Sequence, residues 1–245
     1  MADTSFSHTR AREDAPAEWF RPGWLALQYS QVLFNPLVHA VESFAGGLQR
    51  RVRRERRRRL VGRSYDMALE IARILPRQTR VLDVGCGSGF IAHHLSALLG
   101  APVTGLDVRR RADAPVEYLP YDGARFPVAD ASFDAALLCY VLHHAQDQRA
   151  FLGEVRRALK PRGLAVVYED IPEGLWDALA CRAHDRAWRG RTGPCTFRLP
   201  DDWRALFESS GFEVVAERRL SRWRNLTHTV SRRLYVLRAA GHARA

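Results

Sequence analysis

Lysine is almost missing from this chain: Lys160 is the one lysine among 38 basic residues, so the formal net charge of +11 rests on arginine. A coding bias toward arginine gives such a balance without an acidic partner, so charge alone does not define a nucleic-acid or membrane protein. Cysteine is sparse too. Cys86, Cys139, Cys181 and Cys195 form no CxxC pair and lack the density of a disulfide-stapled secreted domain, which points to free thiols in a reducing compartment. Cys181, His184 and Cys195 lack the second tight pair of a structural zinc site, and no metal is expected. A spanning helix needs about 20 mostly apolar residues, and the best stretch, Trp24 to Leu48, is interrupted by Gln28, Gln31, Asn35, His39 and Glu42. The opening MADTSFSHTRARED lacks the basic-then-apolar order of a secretory leader. A cytoplasmic protein is the expectation.

Hydrophobic residues make up 47% of the 245 positions and aromatic residues 10%, enough for one good-sized α/β core with an elaboration. Residues 1–15 read as disordered, 16–64 as an amphipathic and Arg-rich helical segment, and 65–240 as the main domain. Leu25, Tyr29, Val32, Leu33, Leu37 and Val41 recur at helical spacing, with a break before Pro36. QRRVRRERRRRL, Gln49 to Leu60, follows. Its plain reading is a solvated helix. Its sharper reading is peripheral contact of residues 24–59 with the inner face of a membrane, because arginines beside an apolar face add electrostatic attraction to insertion.

After Pro76 strand and helix signals alternate. Strands are expected at Arg80 to Val84, Val103 to Asp107, Val116 to Tyr121, Phe133 to Cys139 and Leu164 to Tyr168. Helices are expected at Gly89 to Leu99, Asp147 to Leu159, Trp176 to Arg189 and Asp201 to Ser210. Phe212 to Leu220 and Leu234 to Arg238 read as two closing strands. Such alternation gives a doubly wound, Rossmann-like α/β fold. Its sheet is mostly parallel with a C-terminal antiparallel strand, accompanied by N-terminal helices and a helical insertion, 171–200, before the last strands.

The stretch VLDVGCGSGF, Val81 to Phe90, ends a buried strand in an acid and three alternating glycines. In open parallel sheets ligands bind at such carboxyl ends. A dinucleotide fingerprint needs its third glycine at the position Phe90 holds, and a P-loop needs a lysine and a hydroxyl that are absent. Asp83 opposes a pyrophosphate and suits an ammonium or sulfonium. Asp107 and Asp122 end the next two strands, placed for ribose hydroxyls and an adenine amino group. Three acids at successive strand ends describe a nucleoside with a cationic tail.

VLDVGCGSG, GLDV, YDGARFPVADASFD, CYVLHH and FLGEVRRALKPRGLAVVYED together resemble the class I S-adenosylmethionine-dependent methyltransferases, in particular the small-molecule and quinone-methyltransferase-like group. The resemblance covers Tyr65 to Tyr168 and, more loosely, GFEVV at Phe212. It implies S-adenosyl-L-methionine as cofactor, with Asp83, Gly85, Cys86, Gly87, Ser88 and Gly89 cradling the methionine side. It further implies Asp107 on ribose, Val108 on adenine, Asp122 and Gly123 at the adenine edge, and Cys139 and Tyr140 at the methionine end. One departure stands out: the short link Arg109 to Pro115 replaces the helix that the family has between strands two and three.

Methyl transfer is an in-line displacement at an already activated carbon, so the protein mainly positions two substrates and excludes water. A base is needed only where the acceptor loses a proton. His143 and His144, just beyond strand four, are the catalytic candidates, since imidazole titrates near neutrality. Tyr168, Glu169 and Asp170 are expected to follow strand five at the same end. Trp176, Trp188 and Phe197 in the insertion, with Trp19, Phe20, Trp24 and Phe34, suit a lid over a planar or isoprenoid acceptor. Three functions stay open: a methyltransferase for a small, hydrophobic or aromatic acceptor; a nucleic-acid methyltransferase, against which stands CYVL where an NPPY-like tetrapeptide would be; and a non-catalytic adenosylmethionine-binding protein.

Overall fold

The computed structural model describes residues 46–55, 61–108, 112–220 and 230–240. The chain divides into two units, Met1–Arg59 and Leu60–Ala245. In the first, 46–55 is helical with Arg50, Arg51, Arg53 and Arg54 exposed, as a solvated helix requires. The expectations for residues 1–15 and for an amphipathic helix from Trp24 fall mostly outside the described residues. No helix among the described residues is long and apolar enough to cross a membrane.

Among its described residues the second unit has seven strands: β1 (Val81–Val84), β2 (Val103–Asp107), β3 (Glu117–Pro120), β4 (Phe133–Cys139), β5 (Leu159–Ile171), β6 (Phe212–Leu220) and β7 (Ser231–Ala239). They form one sheet in the order β3-β2-β1-β4-β5-β7-β6. β1 to β5 pair in parallel, whereas β7 runs antiparallel to both its neighbours. The helices are α1 (61–72), α2 (Phe90–Leu99), α3 (Gln148–Ala158), α4 (Leu175–Thr192) and α5 (Pro200–Ser209), with a 3-10 turn at Leu142–His144.

Every residue of β1 and β2 is buried, as expected of strands covered on both faces, and this takes Asp83, Thr104 and Asp107 into the interior with their apolar neighbours. Because successive side chains point to opposite faces, Val81 and Leu137 join one core while Leu82 and Leu138 join the other. The first core takes Ala68 and Ile71 from α1 and Leu95 and Leu99 from α2. The second takes Phe151, Leu152 and Val155 from α3 and Trp203, Leu206 and Phe207 from α5. Helices on both faces complete the doubly wound layout. Since β2 and β4 flank β1, the strand order reverses there, and the crevice lies beyond the carboxyl ends of β1 and β4.

Several boundaries differ from the sequence reading: β5 and β7 start earlier, at Leu159 and Ser231, and α4 extends to Thr192. β5 continues past Tyr168 to Ile171 because β7 supplies partners for the whole length, Glu169 facing Arg233 and Asp170 facing Arg232. Glu169 and Asp170 therefore sit within the strand rather than after it. α5 starts at Pro200, whose fixed φ suits the first helical position, one residue before the expected start. Between β2 and β3 residues 112–116 are not helical, in line with the short link expected there.

Candidate active site

The turn after β1 is held from beneath. Leu106 of β2 accepts the Gly85 N–H at 2.7 Å and the Cys86 N–H at 3.2 Å through its carbonyl. Gly85 takes φ +72°, and a β-carbon there would come within 2.3 Å of Val141 Cγ2, so only glycine allows the turn and the segment after β4 to approach this closely. Gly87, at φ +55°, has nothing within 4 Å of a β-carbon position. Its N–H donates to Asp107 Oδ2 at 2.7 Å, which ties the turn to the end of β2. Cys86 points the other way: its Sγ fills the space over Gly105, 2.7 Å from where a β-carbon would sit. Its side chain thus packs against the sheet. The Ser88 carbonyl accepts the N–H groups of Asp113 and Ala114 and so anchors the β2–β3 link to the turn. Gly89 is the N-cap of α2.

Asp83 is 1% exposed, and its Oδ2 has no hydrogen-bond partner among the described residues. Burial, and then the negative charge of Asp107, push its pKa up to about 7. Asp107 is buried. Val108 is exposed and lies 3.6 Å from a β-carbon position on Gly123, so the two residues assigned to adenine are neighbours. Asp122 Oδ1 accepts the Ala124 N–H at 2.9 Å, which shapes the loop after β3. The three acids thus meet different demands: one is buried and unsatisfied, one fixes the glycine turn, one shapes an exposed loop.

Beyond β4, Tyr140 takes φ +59° and donates its N–H to the Tyr168 carbonyl at 2.9 Å. A bulky side chain in the left-handed region is strained, as residues at functional sites often are. Arg232 Nη1 donates to its hydroxyl at 3.3 Å. Burial, then Asp83 and Glu169, push the Cys139 thiol well above its ordinary value, so it stays protonated.

His143 is fully buried, as is Glu169 of β5. Glu169 Oε2 lies 2.6 Å from His143 Nδ1, and its Oε1 accepts the Leu142 N–H at 2.9 Å. Burial favours the neutral imidazole, yet the Glu169 carboxylate more than offsets this and raises the His143 pKa. For His144 burial comes first, then His143 and His184, and together they push it down to about 4. It is neutral at physiological pH.

The insertion closes over this pair. Phe197 stacks on His143 at 4.6 Å between ring centroids, and Trp188 meets His144 edge-on at 5.2 Å. Gln146 Nε2 donates to the Thr192 carbonyl at 2.7 Å and Gln148 Nε2 to the Thr196 carbonyl at 2.9 Å. Thr196 N–H donates to the His143 carbonyl at 2.8 Å. His184 comes to His143 and His144. Sequence reasoning missed Glu169 as the histidine's partner and the two glutamines as stitches. The one signal for Glu169 was an acid adjoining a strand too apolar to leave it solvated.

Residues 53–217 match the model of a methyltransferase domain family, and the chain belongs to that family. Class I methyltransferases use S-adenosylmethionine as methyl donor. Over 111 residues the chain is 34% identical to a sterol 24-C-methyltransferase of Gibberella zeae, covering 40% of this chain and 29% of that one. Over 122 residues it is 35% identical to a demethylmenaquinone methyltransferase of Thermus thermophilus, covering 45% and 53%. The chain thus spans about half or less of these relatives. A solved methyltransferase from Methanosarcina mazei overlays with a TM-score of 0.56 at 20% identity, covering 70% of this chain and 97% of that one, which establishes the shared fold.

The residues present fit the donor. An unsatisfied, buried Asp83 carboxylate suits a cationic methionine end, and the open space at Gly87 lets a ligand lie on backbone.

Two outcomes are expected from this geometry. Gly85→Ala should unfold at far lower urea than wild type, because it adds a clash with Val141 to the backbone penalty. Gly87→Ala should cost only the ~1–2 kcal/mol of a left-handed residue, keep its native circular dichroism and lose donor binding; equal folding defects in both would contradict the assignment of that space. Asp83 provides the second. Its raised folded pKa means that the ligand-free protein binds this proton more tightly than the unfolded chain, so the stabilisation is complete below the ordinary value near 3.8 and lost as pH rises through about 7. Asp83→Asn should remove that loss, and urea midpoints at pH 5 and pH 8 should differ less in the variant than in wild type.

Proposed function

We propose that this protein is a methyltransferase that moves the methyl group of S-adenosylmethionine to a small, hydrophobic or aromatic acceptor: a quinone, phenol, lipid or natural product. The observation that carries the reading is the buried Asp83 carboxylate, whose Oδ2 has no hydrogen-bond partner among the described residues, beside a glycine turn pinned to Asp107. S-adenosylmethionine supplies an electrophilic methyl carbon. Asp83, Gly85, Gly87 and Ser88 bind its methionine side, Asp107 with Val108 its ribose and adenine, Asp122 and Gly123 the adenine edge, and Cys139 and Tyr140 border the reacting end.

The acceptor sits under the insertion, which acts as a lid. Support comes from the rings gathered there, Phe197 and Trp188, and from the sterol and quinone substrates in the relatives' names. Where the acceptor must lose a proton, His143 is the stronger base of the pair because Glu169 raises its pKa, while His144, held near 4, positions the acceptor. The aromatic lining favours a small acceptor over a nucleic acid.

Calorimetric titration with S-adenosylmethionine and S-adenosylhomocysteine tests the donor site. Micromolar binding is expected, weakened at least tenfold, or ~1.4 kcal/mol, by Asp107→Ala. Absence of binding by folded protein would sink the reading. Binding without product from quinones, phenols or lipids would favour a non-catalytic adenosylmethionine-binding protein, and steeply salt-dependent binding of polynucleotides would favour a nucleic-acid substrate.

Peripheral contact of residues 24–59 with an anionic membrane belongs to the same proposal, supported by the exposed arginines of 46–55. Anionic liposomes should retain the protein at low salt and release a version with Arg50, Arg51, Arg53 and Arg54 changed to Gln. Equal retention of both would contradict it.

A further inference from the structure

We infer that His143, His144 and His184 form a binding site for one divalent transition-metal ion of the zinc class, with a fourth coordination position left open. The three residues come from two segments far apart in sequence, the turn after β4 and helix α4, and one ligand nitrogen from each lies within 4.8 Å of the other two. In a tetrahedral zinc site, with Zn–N of ~2.0–2.1 Å, ligand nitrogens stand about 3.3 Å apart. His144 Nε2 and His184 Nε2 already stand 3.2 Å apart.

What surrounds the rings matches ligands more closely than packing. His143 is buried, its Nδ1 is taken by the Glu169 carboxylate at 2.6 Å, and its Nε2 is left without a hydrogen-bond partner among the described residues. A carboxylate on the far nitrogen fixes the tautomer and orientation that a metal-bound histidine needs. His144 repeats the pattern, with Thr192 Oγ1 3.0 Å from Nδ1; a proton on Nδ1 donated to that hydroxyl leaves the Nε2 lone pair toward His184. Cys195 Sγ, 3.3 Å from the same Nδ1, flanks it from outside the triad. A hydrogen bond between two neutral rings would explain the short distance, but it leaves the buried His143 Nε2 unsatisfied, which is unfavourable.

Three histidines with an open position make a site that takes a further oxygen or nitrogen ligand and acts as a Lewis acid. That role, though not the metal binding itself, rests on the methyltransferase reading, and in the metal-loaded protein it replaces His143 as the base because the metal takes its Nε2: an acceptor hydroxyl bound there would release its proton to solvent more readily. As the new O–C bond forms, the methyl–sulfur bond breaks and its electron pair stays on sulfur.

The test uses the full chain, stripped with chelator, and Zn²⁺ or Co²⁺ as probe. One Zn²⁺ per chain should bind with micromolar affinity or better, and Co²⁺ should give the intense visible absorption of a four-coordinate site. His184→Ala, at a partly exposed position, should weaken Zn²⁺ binding at least tenfold while native circular dichroism and adenosylmethionine affinity stay unchanged. A His93→Asn, His94→Asn double variant, away from the triad, should bind zinc as wild type does. Zinc binding that is absent, or equal in His184→Ala and wild type, would overturn the inference. Zinc binding together with failure to bind adenosylmethionine would keep the metal site and discard the methyltransferase reading, so the two claims fail separately.

Discussion

The approach of the β1 turn to the segment after β4 sets the rest of the site. With Val141 occupying the space where a side chain on residue 85 would project, the turn must be left-handed and bare, and this brings the two halves of the crevice into contact. On one side of the contact lie Asp83 and Asp107; on the other, Tyr140 and the histidines. Neither half positions the other unless these backbones meet.

Burial of acids then supplies the chemistry. Asp83 and Glu169 both end up in the interior, where an isolated carboxylate is costly. Glu169 resolves the cost internally, through His143 and the Leu142 N–H. Asp83 does not. Two buried carboxylates that both act on one thiol, Cys139, thus differ: one makes the scaffold rigid, and the other is left in an unfavourable setting that a bound cation would relieve.

The doubly wound sheet was legible because its strands are short apolar runs closed by acids, glycine or proline, and buried strands carry little else. VLDVGCGSGF was legible for the same reason, since three glycines after a strand have few other uses. Cys86 reads as part of the cradle from its place among the glycines, and in the structure its side chain faces Gly105, which leaves its backbone to the turn. The extension of β5 was hidden because pairing with β7 overrides the polar character of Glu169 and Asp170. His184 could not be linked to the HH pair from spacing, because 40 residues of chain separate His144 from it and only the docking of α4 brings them together.

The place of β7 has a consequence for synthesis. It is the last strand in chain order, yet it lies between β5 and β6 and is antiparallel to both. While the ribosome is still making the segments after β5, that long strand, with its apolar stretch Leu164–Tyr168, has an open edge, a template for pairing with another chain. The nascent protein therefore passes through an interval in which its own sheet is an aggregation site, and only the final strand closes it.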